Sequence, residues 1–509
     1  MLLYLKTEKI VKMKCLTALF FVILLTANSL FAQNHFYKNP ILPGDFGDPS
    51  IVLVDKDYVL AKSTGEGFII MKSRDMVHWQ PVIRHQFKEE IRKVWAVDLQ
   101  YFNGKYHLYI PVGIYKGQNN GIYTNMVVIA DKPEGPWSEP IDLEFKGPAG
   151  EHCPAIDPGF IMTPEGRKYL YVSQGYVAEL NSEGTKTIEL ARKVYDGWPI
   201  PTDWNVECMC LESPKLFQKD GFYYLVSAQG GTNGPSTAHM SVVARSNTPL
   251  GPWENSPYNP LTHTYSQDET WWQQGHGTIF KAIDGSWWTI YHARMNGYPE
   301  IGRQGLLMPV EWTKDGWPIQ KKGVKSDDKI AYPGGEIIGE GIQQSDDFKY
   351  TTLGIQWLIP EQNKNDIEVG NGLLTLNAKG TERKDRNSLT VRATDQSFEV
   401  QVKVLCNDSS AIGGIELGGT GAATNGTSHF LSEGPEWRLR DKYPDLTQKG
   451  QLWFKITNNQ KDIAFYYSFD GQKWTSYGKG MHINDSYRIE LFAKGKGKVQ
   501  FADFIYKAL

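Results

Sequence analysis

Cysteine is scarce in this chain: five residues in 509, at positions 15, 153, 208, 210 and 406. So sparse a set is no disulfide framework. Cys208 and Cys210 stand two apart, on one face if they lie on a strand. They lack the further Cys/His pair that a zinc site needs, so they read as small buried hydrophobes. Charge of one sign is also missing, with 54 Lys and Arg against 57 Asp and Glu and a net charge of −3. Nucleic acid is therefore an unsuitable partner, because phosphate binding needs clustered Lys and Arg. After the first 32 residues no apolar run is long enough to span a bilayer, so no membrane insertion is expected. Between residues 34 and 335 no stretch sustains a helical period.

Aromatic residues are plentiful at 13%, with 16 Trp and 26 Tyr. Most suit a β-sheet core, and a few suit stacking against the C–H faces of sugar rings. The N-terminus carries Lys12 and Lys14, an apolar run from Leu16 to Leu25, and a small-residue site ending at Ala32. This is the pattern of a signal peptide over residues 1–32, and it predicts a secreted or periplasmic protein. No Cys follows the apolar run closely, which argues against a lipid anchor.

Five times a short turn leads into an aromatic strand, at Asp57, Gly104, Gly166, Gly221 and Gly285. Nine positions before them stand Asp48, Trp95, Asp157, Glu212 and His276. Each unit continues with a third strand, such as 68–71, 124–129 or 240–244. A Trp-bearing segment often closes it, as at Trp79, Trp137 and Trp253. Four short strands per unit fit a propeller blade. Five units predict an all-β chain whose residues 33–335 form a five-bladed β-propeller. In such a ring the five registered side chains face one end of the central axis, although one residue of slip would turn a side chain away. A Gly-rich linker, 336–344, follows. Residues 345–509 alternate in short runs, including 373–376, 398–405, 452–456 and 499–505, which predicts a jelly-roll-like β-sandwich.

Two Asp, a Glu, a Trp and a His at one spot suit glycosidic cleavage, which needs one protonated carboxyl and one ionised carboxylate. Asp48, in Gly47-Asp48-Pro49, and Glu212, in Glu212-Ser213-Pro214, form the best pair. Asp157, in Ile156-Asp157-Pro158-Gly159, adds a third acid that can orient and tune the proton donor. The nearby prolines bias the backbone toward extended conformations. Asp45 and Glu207 are competitors three and five residues away. An odd offset on a strand reverses the face, so both are disfavoured.

The Asp-Pro near the mature N-terminus, Ile156-Asp157-Pro158-Gly159, the Glu-Ser-Pro preceding Tyr223-Tyr224-Leu225, and Gly275-His276-Gly277 together resemble glycoside hydrolase family 43. The resemblance extends to Asp346-Asp347-Phe348 and Ser468-Phe469-Asp470-Gly471 in an accessory domain of β-xylosidase and arabinofuranosidase type. It implies an inverting hydrolase with Asp48 as general base, Glu212 as general acid and Asp157 as the residue that tunes that acid. By the same likeness, Arg303 in Gly302-Arg303-Gln304 contacts substrate or orients a carboxylate, and His276 is the ligand of a structural calcium ion present in some members. No cofactor is required. Trp95 fits a sugar-facing wall and Trp272 a second aromatic contact. The family often has Pro where Val97 stands, a departure that alters loop geometry.

The expected reaction is exo release of terminal α-L-arabinofuranose or β-D-xylose from plant cell-wall polysaccharides or oligosaccharides. The alternatives are endo- or exo-arabinanase action, retaining hydrolysis on a related propeller, and a non-catalytic carbohydrate-binding propeller.

Overall fold

The structure is a computed structural model. It describes residues 35–509 except 89, 115–121, 152, 154–155, 433–436, 443–450 and 482–486. The signal-peptide segment lies outside the described residues. Among these residues helix is confined to three short 3-10 turns, Ser173–Gly175, Pro299–Ile301 and Glu361–Asp366. No helix there is long and apolar enough to cross a membrane.

Five separate antiparallel sheets follow one another along the chain, one per predicted unit. Blade I is Ser50–Val54, Asp57–Ser63, Gly67–Ser73 and Gln80–Gln86. Blade II centres on Asp98–Phe102, Lys105–Ile114 and Ile122–Ala130. Blade III is built on Gly159–Met162, Lys168–Val172 and Tyr176–Leu180, and blade IV on Leu211–Lys219, Phe222–Gln229 and Met240–Ser246. Blade V is Trp271–Lys281, Trp287–Met295, Arg303–Trp312 and Pro318–Gln320. The first strands of the blades adjoin one another around the axis. The second strands are buried on both faces, as in Asp57–Ser63 and Phe222–Gln229, which explains their near-continuous apolar and aromatic sequence.

The recurrent Trp residues are wedges between blades. Trp137 of blade II meets Phe68 of blade I edge-on at 5.2 Å between centroids. Trp253 of blade IV packs on Tyr171 and Tyr195 of blade III. The ring is sealed where the first described residues return to its end. His35–Tyr37 pairs with Ile330–Tyr332, the Tyr37 hydroxyl donates to the Leu307 carbonyl at 2.6 Å, and Leu42 bridges Gly305.

The C-terminal region is two stacked sheets of seven and six strands. Its sequence alternation is literal: in Ser397–Leu405 and Gln451–Asn459 every second residue is buried. Phe398, Val400, Val402, Val404, Phe454 and Ile456 form the core with Leu491 and Phe501.

One expectation fails. Cys208 and Cys210 are bonded to each other in a loop outside any strand and are only half-buried. A framework and an isolated bond are different things: the sparse count excluded the first and was silent on the second. Cys153 and Cys406 are buried.

Candidate active site

Pairing in blade I begins at Ser50, in blade II at Asp98 and in blade III at Gly159. In blades IV and V it breaks and resumes at Lys215 and Thr278. Two residues before these points stand Asp48, Ala96, Asp157, Ser213 and His276. Four of the five hold a positive φ: Asp48 58°, Asp157 55°, Ser213 53° and His276 53°. A non-glycine residue in this region is uncommon, and such strain gathers at functional sites. The prolines that follow Asp48, Asp157 and Ser213 therefore do not produce extended backbone at those residues, contrary to the sequence expectation. A ladder break re-aims the side chain instead.

The true register thus runs through Pro49, Val97, Pro158, Pro214 and Gly277. Turn counting only approximated it. The blade I turn lies at Asp55-Lys56, not at Asp57, since Val54 pairs with Asp57. Trp95 and Glu212 stand one residue before the equivalent positions.

One cavity of about 380 Å³ is lined by Asp48, Trp95, Asp157, Glu212, His276 and Arg303. Five sequence-predicted candidates and a sixth, Arg303, are thereby brought together. Trp272 is not among its lining residues. Its indole N–H donates to the Gln267 carbonyl at 3.0 Å, away from the carboxylates. Asp45, rejected from the odd offset, does line the cavity. That rule needs a strand, and the residues around Asp45 form none.

Asp48 is 6% exposed and yet held as an anion. Its Oδ1 accepts from Arg303 Nη1 at 2.7 Å and lies 3.1 Å from Nδ1 of both His276 and His292. Burial pushes its pKa up, but the Arg303 guanidinium and the two imidazoles outweigh it and hold the carboxyl well below its usual range. Gly47 makes this geometry possible, because a Cβ there would sit 2.5 Å from the Arg303 guanidinium carbon.

The other two acids are biased the opposite way. Burial raises Asp157 far above its usual value, and the charges of Glu212 and Asp48 add to it. Burial also raises Glu212, followed by Asp48 and then Glu207. Glu207 accepts the Asn233 N–H at 2.6 Å. A carboxyl biased toward its ionised form and others biased toward the protonated form thus share one cavity.

Below this layer lies a second that sequence reasoning missed. Lys215 and Asp98 form a buried ion pair at 2.8 Å. Lys215 also donates to the carbonyls of Val97 and Pro158, while Asp98 accepts from Ser50 Oγ and the Phe160 N–H. His292 and His239 were also missed, stacked at 5.2 Å between centroids. His292 precedes no turn or proline. The one available signal for Lys215 was its place immediately after Pro214.

His276 was expected as a calcium ligand. Burial lowers its pKa to about 3, so the ring is neutral. Its Nδ1 faces Asp48, and its buried Nε2 has no hydrogen-bond partner among the described residues. Calcium takes six to eight oxygen ligands. Among the described residues no three His, Cys, Asp or Glu side chains are arranged around a metal. The residues fit an ion held by one imidazole within a shell of water, and do not fit an ion caged by protein oxygens.

The family model for glycosyl hydrolases family 43 matches residues 37–318. The chain belongs to this family. It is 30% identical over 370 residues to a non-reducing end alpha-L-arabinofuranosidase of Bacteroides ovatus, covering 68% of this chain and 65% of that protein. It is 26% identical over 492 residues to a putative beta-xylosidase of Xylanibacter ruminicola, covering 89% and 84%. A variant of the GH43 protein BlXynB from Bacillus licheniformis superposes with a TM-score of 0.80 at 25% identity, over 93% of this chain and all of that one. The fold is the five-bladed propeller with a C-terminal β-sandwich. Against the arabinofuranosidase and a Vibrio xylan 1,3-beta-xylosidase, the chain spans 65% and 57% of each relative's length.

Proposed function

We propose that the chain is an exo-acting, inverting glycoside hydrolase that removes terminal α-L-arabinofuranose or β-D-xylose from plant cell-wall polysaccharide or its oligosaccharides. The observation that carries this reading is the opposite protonation bias of Asp48 and Glu212 in one cavity. Asp48 takes a proton from a water molecule, whose oxygen attacks the anomeric carbon. Glu212 gives its proton to the glycosidic oxygen as that bond breaks. The products are a pentose of inverted configuration and a chain shorter by one sugar. Such a reaction calls for carboxyl groups about 6.5–9.5 Å apart, room for the water. Arg303 and His276 hold Asp48 ionised and oriented, and buried Asp157 presents a polar edge beside the acid. Trp95 supplies an apolar wall against a sugar face.

Exo action is supported by the cavity's small size, by the sandwich residues Gln356, Leu358, Arg392 and Thr394 that close one side of it, and by the names of the relatives. No metal enters the chemical step. The leader-like residues 1–32 support export.

The test is release of free pentose from nitrophenyl pentosides, arabinan, arabinoxylan and xylo-oligosaccharides. NMR of the first-formed anomer runs alongside. A single pentose of inverted configuration is expected. Internal cleavage products, retention, or saturable binding without release would each contradict the proposal.

A further inference from the structure

The side of the cavity facing the sandwich has a charge problem that the reaction above does not use. Four cations line the cavity, Lys62, Arg84, Arg303 and Arg392, with Asp45, Asp48, Asp157 and Glu212. Arg303 is committed to Asp48. Arg392 of the sandwich is committed to Asp45 Oδ2 at 2.8 Å, and Asp45 Oδ1 accepts the Arg303 N–H. Among the described residues neither Asp157 nor Glu212 lies within ion-pair distance of any of the four cations.

Lys62 and Arg84 are left over. Lys62 is 8% exposed, touches the Asp45 main-chain carbonyl, and lies over the Phe46 ring at 5.0 Å. Arg84 spends its Nε on the Ile355 carbonyl at 2.6 Å. Among the described residues neither has a carboxylate within ion-pair distance. Burial and the cations Arg392, Arg303 and Arg84 lower Lys62 to about 8, against the pull of Asp45. Burying a cation without a paired carboxylate is unfavourable, and an anionic ligand at this place would relieve that cost. Guanidinium groups suit a carboxylate in particular, which they bind through paired, charge-assisted hydrogen bonds.

The geometry points to a carboxylate subsite formed by Lys62 and Arg84 beside the Arg392–Asp45 pair, which takes a hexuronic acid carried by the substrate next to the terminal pentose. This inference rests on the hydrolase reading and adds a substrate class to it. The sandwich then has a part in specificity, since it supplies Arg392 and the Ile355 carbonyl that aims Arg84.

The experiment compares kcat/KM for a neutral oligosaccharide with kcat/KM for the same oligosaccharide bearing one hexuronic acid beside its terminal pentose. The unaltered protein is expected to favour the acidic substrate by about tenfold. Arg84→Gln should bring the ratio near one, and Arg84→Lys, which keeps the charge but not the paired hydrogen bonds, should retain only part of it. Because each ratio is read within one protein, folding yield cancels. Free hexuronic acid should inhibit at lower concentration than inorganic phosphate. A ratio of one or less in the unaltered protein, or a ratio unchanged by Arg84→Gln, overturns the subsite. Equal or stronger inhibition by phosphate overturns its assignment to a sugar acid. Pentose release with a flat ratio sinks this inference alone, whereas no release from either substrate sinks the hydrolase reading with it.

Discussion

The propeller axis holds charged groups at two levels, and the levels behave differently. At the deeper one, Lys215 and Asp98 are fully occupied: the amine has three acceptors, and the carboxylate accepts from Lys215, Ser50, Gln100 and the Phe160 N–H. At the upper one, Asp48 is surrounded by the Arg303 guanidinium and two imidazoles that favour its ionised form, while Asp157 and Glu212 face other acids. Residue type therefore does not separate scaffold from chemistry here. A buried carboxylate whose partners balance it is inert, and one left in conflict with its neighbours is poised to move a proton.

The difference can be broken from either side. The largest effect is expected in the upper layer: Asp48→Asn should lower kcat by at least about a thousandfold with little change in thermal midpoint. A large fall in midpoint would mean that Asp48 belongs to the scaffold. The converse holds below. Lys215→Met leaves Asp98 buried without its counter-charge and should destabilise by about 3–5 kcal/mol, read by urea denaturation. A stable Lys215→Met protein would show that the deeper pair is dispensable.

A smaller effect sharpens the upper layer. The proposed mechanism needs Asp48 ionised and Glu212 protonated, so the pH profile should be bell-shaped, with Asp48 setting the acid limb and Glu212 the alkaline limb. Glu207 is one of the charges raising Glu212. Glu207→Gln removes that like charge, lowers the pKa of Glu212, and should move the alkaline limb of kcat/KM to lower pH. An unmoved or upward-moving limb would place the acid elsewhere. The smallest effect concerns the aromatics. Trp95→Ala should raise KM by about tenfold, the weight of one stacking wall, whereas Trp272→Ala, outside the cavity, should leave KM unchanged. Reversal of that order would restore Trp272 as the sugar contact.

The five blades and the sandwich were legible because their cause is local. Aromatic second strands, tight turns and strict alternation are written in neighbouring residues. The three acids were legible for the same reason, each standing near a proline at the inner end of a blade. The register itself was read from the wrong landmark. Turns vary in length at the outer end, whereas the prolines mark the inner ladder break where the side chains are aimed. Asp45 was misjudged by applying strand alternation to a segment that is not a strand. Its partner Arg392 lies on the other domain, and nothing local in the sequence joins them. His292 meets Asp48 where blade V closes on blade I, and His239 of blade IV stacks on His292, so their role was invisible until the blades were placed.

The most direct test of the assignment varies the leaving group. A dinitrophenolate departs without help from an acid, whereas a sugar alkoxide needs a proton. Glu212→Gln should therefore lose roughly a thousandfold or more on a xylo- or arabino-oligosaccharide and far less on the dinitrophenyl pentoside, while Asp48→Asn should be crippled on both. If the dinitrophenyl substrate rescues Asp48→Asn and not Glu212→Gln, the roles are reversed and the account is wrong.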